Sequence, residues 1–278
     1  MLKHILVAID FSPAWPQVRA QFSRLSAFGC ERLTLTYVIS AGYTQAPELS
    51  HKEHYEGRLA ETADELAAST GLAVDWTVRT GPVASELVAA ADACGADTIL
   101  AGTQGHSVIR EFLFGSTALN LARLADRPLL LAPVDGKSTG SAELICRPLL
   151  ATDGSAAAAG AEAAFLEILP CCDRGVVVSV GRWDKAEDKA EERAAIEAHI
   201  AALAARAGGN AFDVELIGHG KPSEVITRVT AQQQADLVIV GRRGRNPLTG
   251  LLLGSTAEAV CRNSRQLVLL VPAATRPG

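Results

Sequence analysis

Apolar residues along this chain gather into ten short runs separated by longer amphipathic stretches. In the first half the runs are ILVAI (5–9), LTLTYVI (33–39), AVDWTV (73–78), TILAG (98–102) and PLLLAPV (128–134). Short, and rich in Val, Ile, Leu and Thr, they read as strands. Between them, residues 14–29, 48–70, 83–95 and 116–126 are rich in Ala, Leu and Glu, with apolar positions at helical spacing. Strands that are nearly continuous in apolar character and alternate with helices predict a parallel sheet sandwiched by helices, an α/β fold.

The second half repeats the order with PLLATD (148–153), VVVSV (176–180), FDVELI (212–217), LVIVG (237–241) and LVLLVPA (267–273). Gly81 and Gly220, Asp97 and Asp236, Gly102 and Gly241, Gly115 and Gly254, Arg123 and Arg262, and Pro133 and Pro272 all stand 139 residues apart. Self-similarity at a fixed long offset is the mark of a duplicated domain. Asp10 and Asp153 correspond at an offset of 143. The first copy is therefore four residues longer between its opening strand and its third strand, with Gly42–Pro47 the expected place. The polar, small-residue stretch DGKSTGSAE (135–143) reads as a linker, which divides the chain into domains 1–140 and 141–278.

Composition narrows the function. A 278-residue chain that is 48% hydrophobic can bury two modest cores, and a net charge of -5 argues against a nucleic-acid-binding face. The apolar start of MLKHILVAIDFS is too short for a signal-peptide core, and no stretch has membrane-spanning length, so a cytoplasmic protein is expected. Six cysteines lack metal-ligand spacing and read as buried thiols in a reducing compartment, with only the neighbours Cys171 and Cys172 placed to oxidise.

Two loops carry the candidate chemistry, GTQGHSVIREFLFGST (102–117) and GRRGRNPLTGLLLGST (241–256). Each leaves the fourth strand and enters a helix at Gly-Ser-Thr. Glycines admit close backbone approach, and the first turn of a helix offers unpaired N–H groups and a dipole that favours an anion. A phosphate is the natural guest; the alternative is a pair of tight turns. Asp10 and Asp153 end the opening strands. Each can cap the following helix. If strand order reverses between strands one and four, each instead lies beside its own glycine loop, where a carboxylate can hold a ribose hydroxyl or, through water, a metal.

Together ILVAID, PLLATDGS, GKPSEVI ahead of ADLVIVGRRGR, and both complete glycine loops resemble universal stress proteins, and the resemblance spans essentially the whole chain as a tandem of two such domains. It implies two adenine-nucleotide alpha-hydrolase-like domains, each a five-stranded parallel sheet in order 3-2-1-4-5. It also implies ATP, with Mg, bound with its phosphates on Gly102, Gly105, Gly115, Ser116 and Thr117 in one copy. In the other copy the matching positions are Gly241, Arg242, Gly244, Gly254, Ser255 and Thr256. Asp10 and Asp153 match the nucleotide-facing aspartate of the family, and Val38 and Val180 offer backbone to adenine. Such domains pair through their last strands, here 128–134 and 267–273. That implies an internal pseudo-dimer, with a homodimer of chains as a further step.

The copies differ in how closely they follow this pattern. The second has Asp153-Gly154-Ser155, Gly220-x-Pro222 and three arginines, Arg242, Arg243 and Arg245. The first has Phe11 where the small glycine belongs, Gly81-Pro82-Val83 without the spaced proline, and Glu111 where phosphate charge would lie. Other signals carry less. GKST (136–139) lacks the first glycine of a phosphate-binding P-loop, Gly218-His219-Gly220 lacks the third glycine of a dinucleotide fingerprint, and His51 and His54 read as a solvated helix face. No Ser-His-Asp or Cys-His set can be assembled around His106 or His219, and no catalytic residue is assigned. The expected function is an ATP-binding stress-response or regulatory module. The alternatives are a weak ATPase or phosphotransferase, for which the arginines supply a clamp but no base is evident, and a scaffold that binds no nucleotide.

Overall fold

The computed structural model describes residues 1–40, 48–103, 115–134, 146–185, 190–244 and 253–273. The chain divides into two compact units, Met1–Ala142 and Glu143–Gly278. In the first, strands β1 (His4–Ile9), β2 (Arg32–Ile39), β3 (Ala73–Thr80), β4 (Thr98–Gly102) and β5 (Leu129–Ala132) alternate with helices α1 (Trp15–Arg19), α2 (Phe22–Leu25), α3 (Glu48–Thr70), α4 (Val83–Cys94) and α5 (Ser116–Leu124). In the second, β6 (Pro148–Ala151), β7 (Gly175–Val180), β8 (Phe212–Ile217), β9 (Leu237–Gly241) and β10 (Leu267–Val271) alternate with α6 (Ala159–Ile168), α7 (Ala190–Arg206), α8 (Pro222–Gln232) and α9 (Ser255–Asn263).

Within the first unit the strands lie in the order β3-β2-β1-β4-β5, and within the second in the order β8-β7-β6-β9-β10. The pairs inside each unit are parallel. This is the 3-2-1-4-5 order. The chain winds one way from the opening strand and then the other, and a crevice opens at the carboxyl ends where the direction reverses. Strands β4, β5, β9 and β10 are buried almost throughout, as expected of strands covered on both faces. Strands β3 and β8 are half-exposed, and Trp76 on β3 and Val214 on β8 reach the surface.

Strand register locates the length difference between the copies. Leu6 stands opposite Thr34, and Thr34 opposite Asp75; the counterparts are Leu149, Val176 and Asp213. The path from β2 to β3 is thus four residues longer than that from β7 to β8. Residues 42–47, where the insertion is expected, lie outside the described residues. One further residue between β1 and β2 is offset by one fewer between β3 and α4.

Two expectations change. The helix anticipated over 14–29 is broken into α1 and α2, because Gln21 N–H turns back to the carbonyl of Val18, tightening the turn after α1. The cysteines are not uniformly buried thiols. Cys146 and Cys172 form a disulfide that ties the segment before β6 to the connection between α6 and β7, and Cys171 is exposed. Cys30 and Cys261 do fit the original reading: burial pushes their thiols up to about 11 and about 12, so both stay protonated. Among the described residues no helix is long and apolar enough to cross a membrane.

Candidate functional site

At the carboxyl ends of β6, β7 and β9 lies a cavity of about 470 Å³. It is lined by Ala151–Asp153, Val178–Gly181 and Val240–Gly241 from the strand ends, and by Gly254–Ala257 at the start of α9. Gly254 is the residue before that helix, with φ -63° and ψ 140°, and no side chain caps the helix end. The N–H of Gly254 is taken by the carbonyl of Arg242 at 2.9 Å, and its carbonyl accepts the N–H of Glu258 at 2.8 Å. The next three N–H groups, of Ser255, Thr256 and Ala257, have no intrahelical acceptor, and all three residues line the cavity. That end of the site suits an anion on electrostatic grounds, and Arg243, a positively charged residue, also lines the cavity.

The middle of the cavity belongs to Asp153. Its Oδ1 accepts the N–H of Ser155 at 3.0 Å, which fixes the turn leaving β6. Its Oδ2 lies 3.2 Å from where a Cβ would stand on Gly244, so a side chain there would crowd the carboxylate. The turn is braced from behind. Thr152 Oγ1 accepts the N–H of Gly154 at 3.1 Å and donates to Glu162 Oε1 at 2.6 Å, and His199 Nε2 donates to the same oxygen at 2.8 Å. Glu162 is almost fully buried, so these bonds satisfy a carboxylate that would otherwise be costly to bury. Between them the residues hold Asp153 in place.

Of the residues singled out from sequence in this unit, Asp153, Val180, Gly241, Gly244, Gly254, Ser255 and Thr256 all line the one cavity. Arg242 does not. Its N–H donates to the carbonyl of Val271 and its carbonyl accepts from Gly254, while the next residue, Arg243, lines the cavity. Arg245 lies outside the described residues. The cavity also takes in Ile226, the last residue of GKPSEVI, and Trp183 and Glu192, which no motif indicated. For Trp183 there was a faint signal in an aromatic residue two positions after Gly181 at the end of a strand.

The first unit keeps the same backbone frame. The N–H of Gly115 donates to the carbonyl of Thr103 at 2.9 Å, and Gly115 precedes α5 with φ -55° and ψ 140°, so Ser116 and Thr117 open that helix as Ser255 and Thr256 open α9. Gly102 ends β4 and Val38 lies near the end of β2 opposite Arg79. Asp10 Oδ1 accepts the N–H of Ser12 at 2.9 Å, the same turn as at Asp153. Gly105, His106 and Glu111 lie outside the described residues. The side chains behind the turn differ. Phe11 stacks with Tyr55 at 6.1 Å and tilts against Tyr37 at 5.6 Å, Tyr37 stacks on Tyr55 at 3.9 Å, and the Arg58 guanidinium sits 3.9 Å above the Phe11 ring. Burial, reinforced by a hydrogen bond with Tyr55, raises the Tyr37 phenol well above its ordinary range.

Comparison with known proteins bears on this architecture. A model described as the universal stress protein family matches residues 1–133 and again 130–272. The chain is 26% identical over 294 residues to a universal stress protein of Mycolicibacterium smegmatis, covering 96% of each. The crystal structure of a universal stress protein from Archaeoglobus fulgidus superposes with a TM-score of 0.77 at 22% identity, covering 99% of this chain and 100% of that one. A Pseudomonas aeruginosa protein of unknown function superposes with a TM-score of 0.65 at 18% identity, covering 98% and 93%. At these identities the two structures speak for the fold.

Proposed function

The chain belongs to the universal stress protein family, and on that premise we propose that its second unit binds ATP and acts as a nucleotide-dependent stress-response or regulatory module. One observation carries the reading. In a single cavity, the uncapped N-terminus of α9 and Arg243 stand on one side and the braced carboxylate of Asp153 beside them. The polyphosphate lies on the N–H groups of Ser255, Thr256 and Ala257, and Asp153 takes a ribose hydroxyl. Among the described residues no cluster of three or more His, Cys, Asp or Glu side chains is arranged for a metal. Mg accompanies the nucleotide on its phosphates, as it commonly does. ATP that binds one conformation more tightly stabilises it, and a partner protein in the cytoplasm reads the result.

The test is calorimetric titration of the full chain with ATP and Mg, wild type against Ser255→Glu. An acidic residue is favourable in the first turn of a helix, so the fold is retained, but it places negative charge against the phosphates. ATP affinity should fall by at least about tenfold. Equal affinity in the variant would remove the phosphate from this site. Phosphate release by the wild type, lost in S255E, would promote the ATPase alternative.

A further inference from the structure

Trp183 belongs to a short turn, Trp183–Lys185, that follows β7. Two glycines make room for its ring. A Cβ on Gly181, just past β7, would overlap the indole, and a Cβ on Gly218, just past β8, would overlap both Trp183 and Asp184. The turn is pinned at Asp184, whose N–H donates to the carbonyl of Gly218 at 3.3 Å and whose carboxylate accepts from His219 Nδ1 at 2.6 Å. The indole is thus seated on the ends of β7 and β8, and it also lines the cavity. By strand register, Ile39 and Thr80 occupy the matching places in the first unit, and their side chains would fill such a seat.

The order of parts across the sheet suggests what the ring is for. Trp183 sits at β7 and β8, Asp153 ends the β6 segment, and the anion-binding start of α9 follows β9; the strands run β8-β7-β6-β9. Neighbouring strands are about 4.8 Å apart, so an aromatic wall and an anion site separated by two strand spacings lie roughly 10 Å from each other with a carboxylate between. Base, sugar and phosphate succeed one another in the same order in a nucleotide. We infer that Trp183 is a specificity-determining residue, the aromatic wall against which the planar base of the nucleotide packs. The inference rests on the nucleotide reading of this cavity. It makes the second unit selective for a nucleoside polyphosphate over a bare polyphosphate.

The chain has three tryptophans, so Trp15→Phe with Trp76→Phe leaves Trp183 as the sole indole reporter. In that background ATP should quench the emission and inorganic tripolyphosphate should not. In the otherwise wild-type chain, Trp183→Ala should weaken ATP by about tenfold or more, as loss of a base-stacking aromatic does. Trp183→Phe should recover most of the loss, and tripolyphosphate binding should be the same in all three proteins. An alanine variant that binds ATP as well as wild type, or better, would make the ring a bystander or a plug. An equal loss for tripolyphosphate would make it a structural support. Either overturns the inference while leaving ATP binding intact. Failure of the wild-type chain to bind either ligand would instead defeat the nucleotide reading, and the inference with it.

Discussion

The two turns that leave β1 and β6 have the same backbone and opposite surroundings. In both, an aspartate oxygen accepts the N–H two residues on, from Ser12 at 2.9 Å and from Ser155 at 3.0 Å. In both, the residue between is left-handed, Phe11 at φ +50° and Gly154 at φ +68°. Glycine takes that conformation freely, whereas an L side chain gives up roughly 1–2 kcal/mol. Phe11 offsets the strain through its contacts with Tyr37, Tyr55 and Arg58. Behind Gly154 stand Ile196 and His199, and the support comes from the hydrogen bonds joining Thr152, Glu162 and His199. Duplication conserved the path of the chain, and each copy then found its own way to hold it.

The comparison is broken most severely by exchanging the central residues. Gly154→Phe forces a bulky side chain into left-handed backbone, with its Cβ 3.0 Å from Ile196 Cδ1 and no aromatic partners waiting. Strain and overpacking together should cost on the order of 3–4 kcal/mol, read as a lower denaturation midpoint. A change within a few tenths of a kcal/mol would mean that the second unit tolerates the aromatic arrangement as readily as the first. Next in size is Thr152→Val, which removes the hydroxyl between Gly154 and Glu162 and makes the position resemble Ile9 of the first copy. A hydrogen bond to a buried carboxylate is worth about 2 kcal/mol, and urea denaturation should register that loss. ATP affinity should fall as well, because the Asp153 turn loses its brace; full affinity at reduced stability would separate the brace from the site.

The smallest effect sharpens the comparison from the other side. Tyr37 is held neutral in the folded first unit, while Ser179 occupies the matching place in the second. An unfolded tyrosine loses its proton near pH 10. Above that pH the unfolded chain binds fewer protons than the folded one, so stability falls as pH rises. The melting temperature should therefore decline on the alkaline side in wild type and decline less in Tyr37→Phe. Equal slopes would show that Tyr37 does not contribute.

Much of the fold could be read from sequence because the signals are local. A strand buried on both faces is apolar along its length, as LVIVG and LVLLV are, and a helix repeats its apolar positions every turn. The edge strand β3 is harder to delimit, since AVDWTV runs on to Thr80 in a strand with no fully buried residue. The glycine frame pointed to the candidate anion site because the chemistry proposed for it is carried by backbone within sixteen consecutive residues. Arg242 and Arg243 show the limit of that reading: spacing placed both at the loop, but only the folded chain distinguishes Arg243, which lines the cavity, from Arg242, whose backbone bonds Val271 and Gly254.

By itself, then, the sequence determined a duplicated α/β chain, the succession of its elements, and the glycine frame of its candidate site, all of which follow from short-range periodicity and from glycine at fixed spacing. Tertiary structure alone decided which distant side chains meet. Trp183 lies over Gly218, Asp184 pairs with His219, Glu162 with His199, and Cys146 with Cys172. These contacts arise where parallel crossovers bring separate strand ends and helices side by side. Their partners are set by sheet order and helix packing, and no local pattern records them.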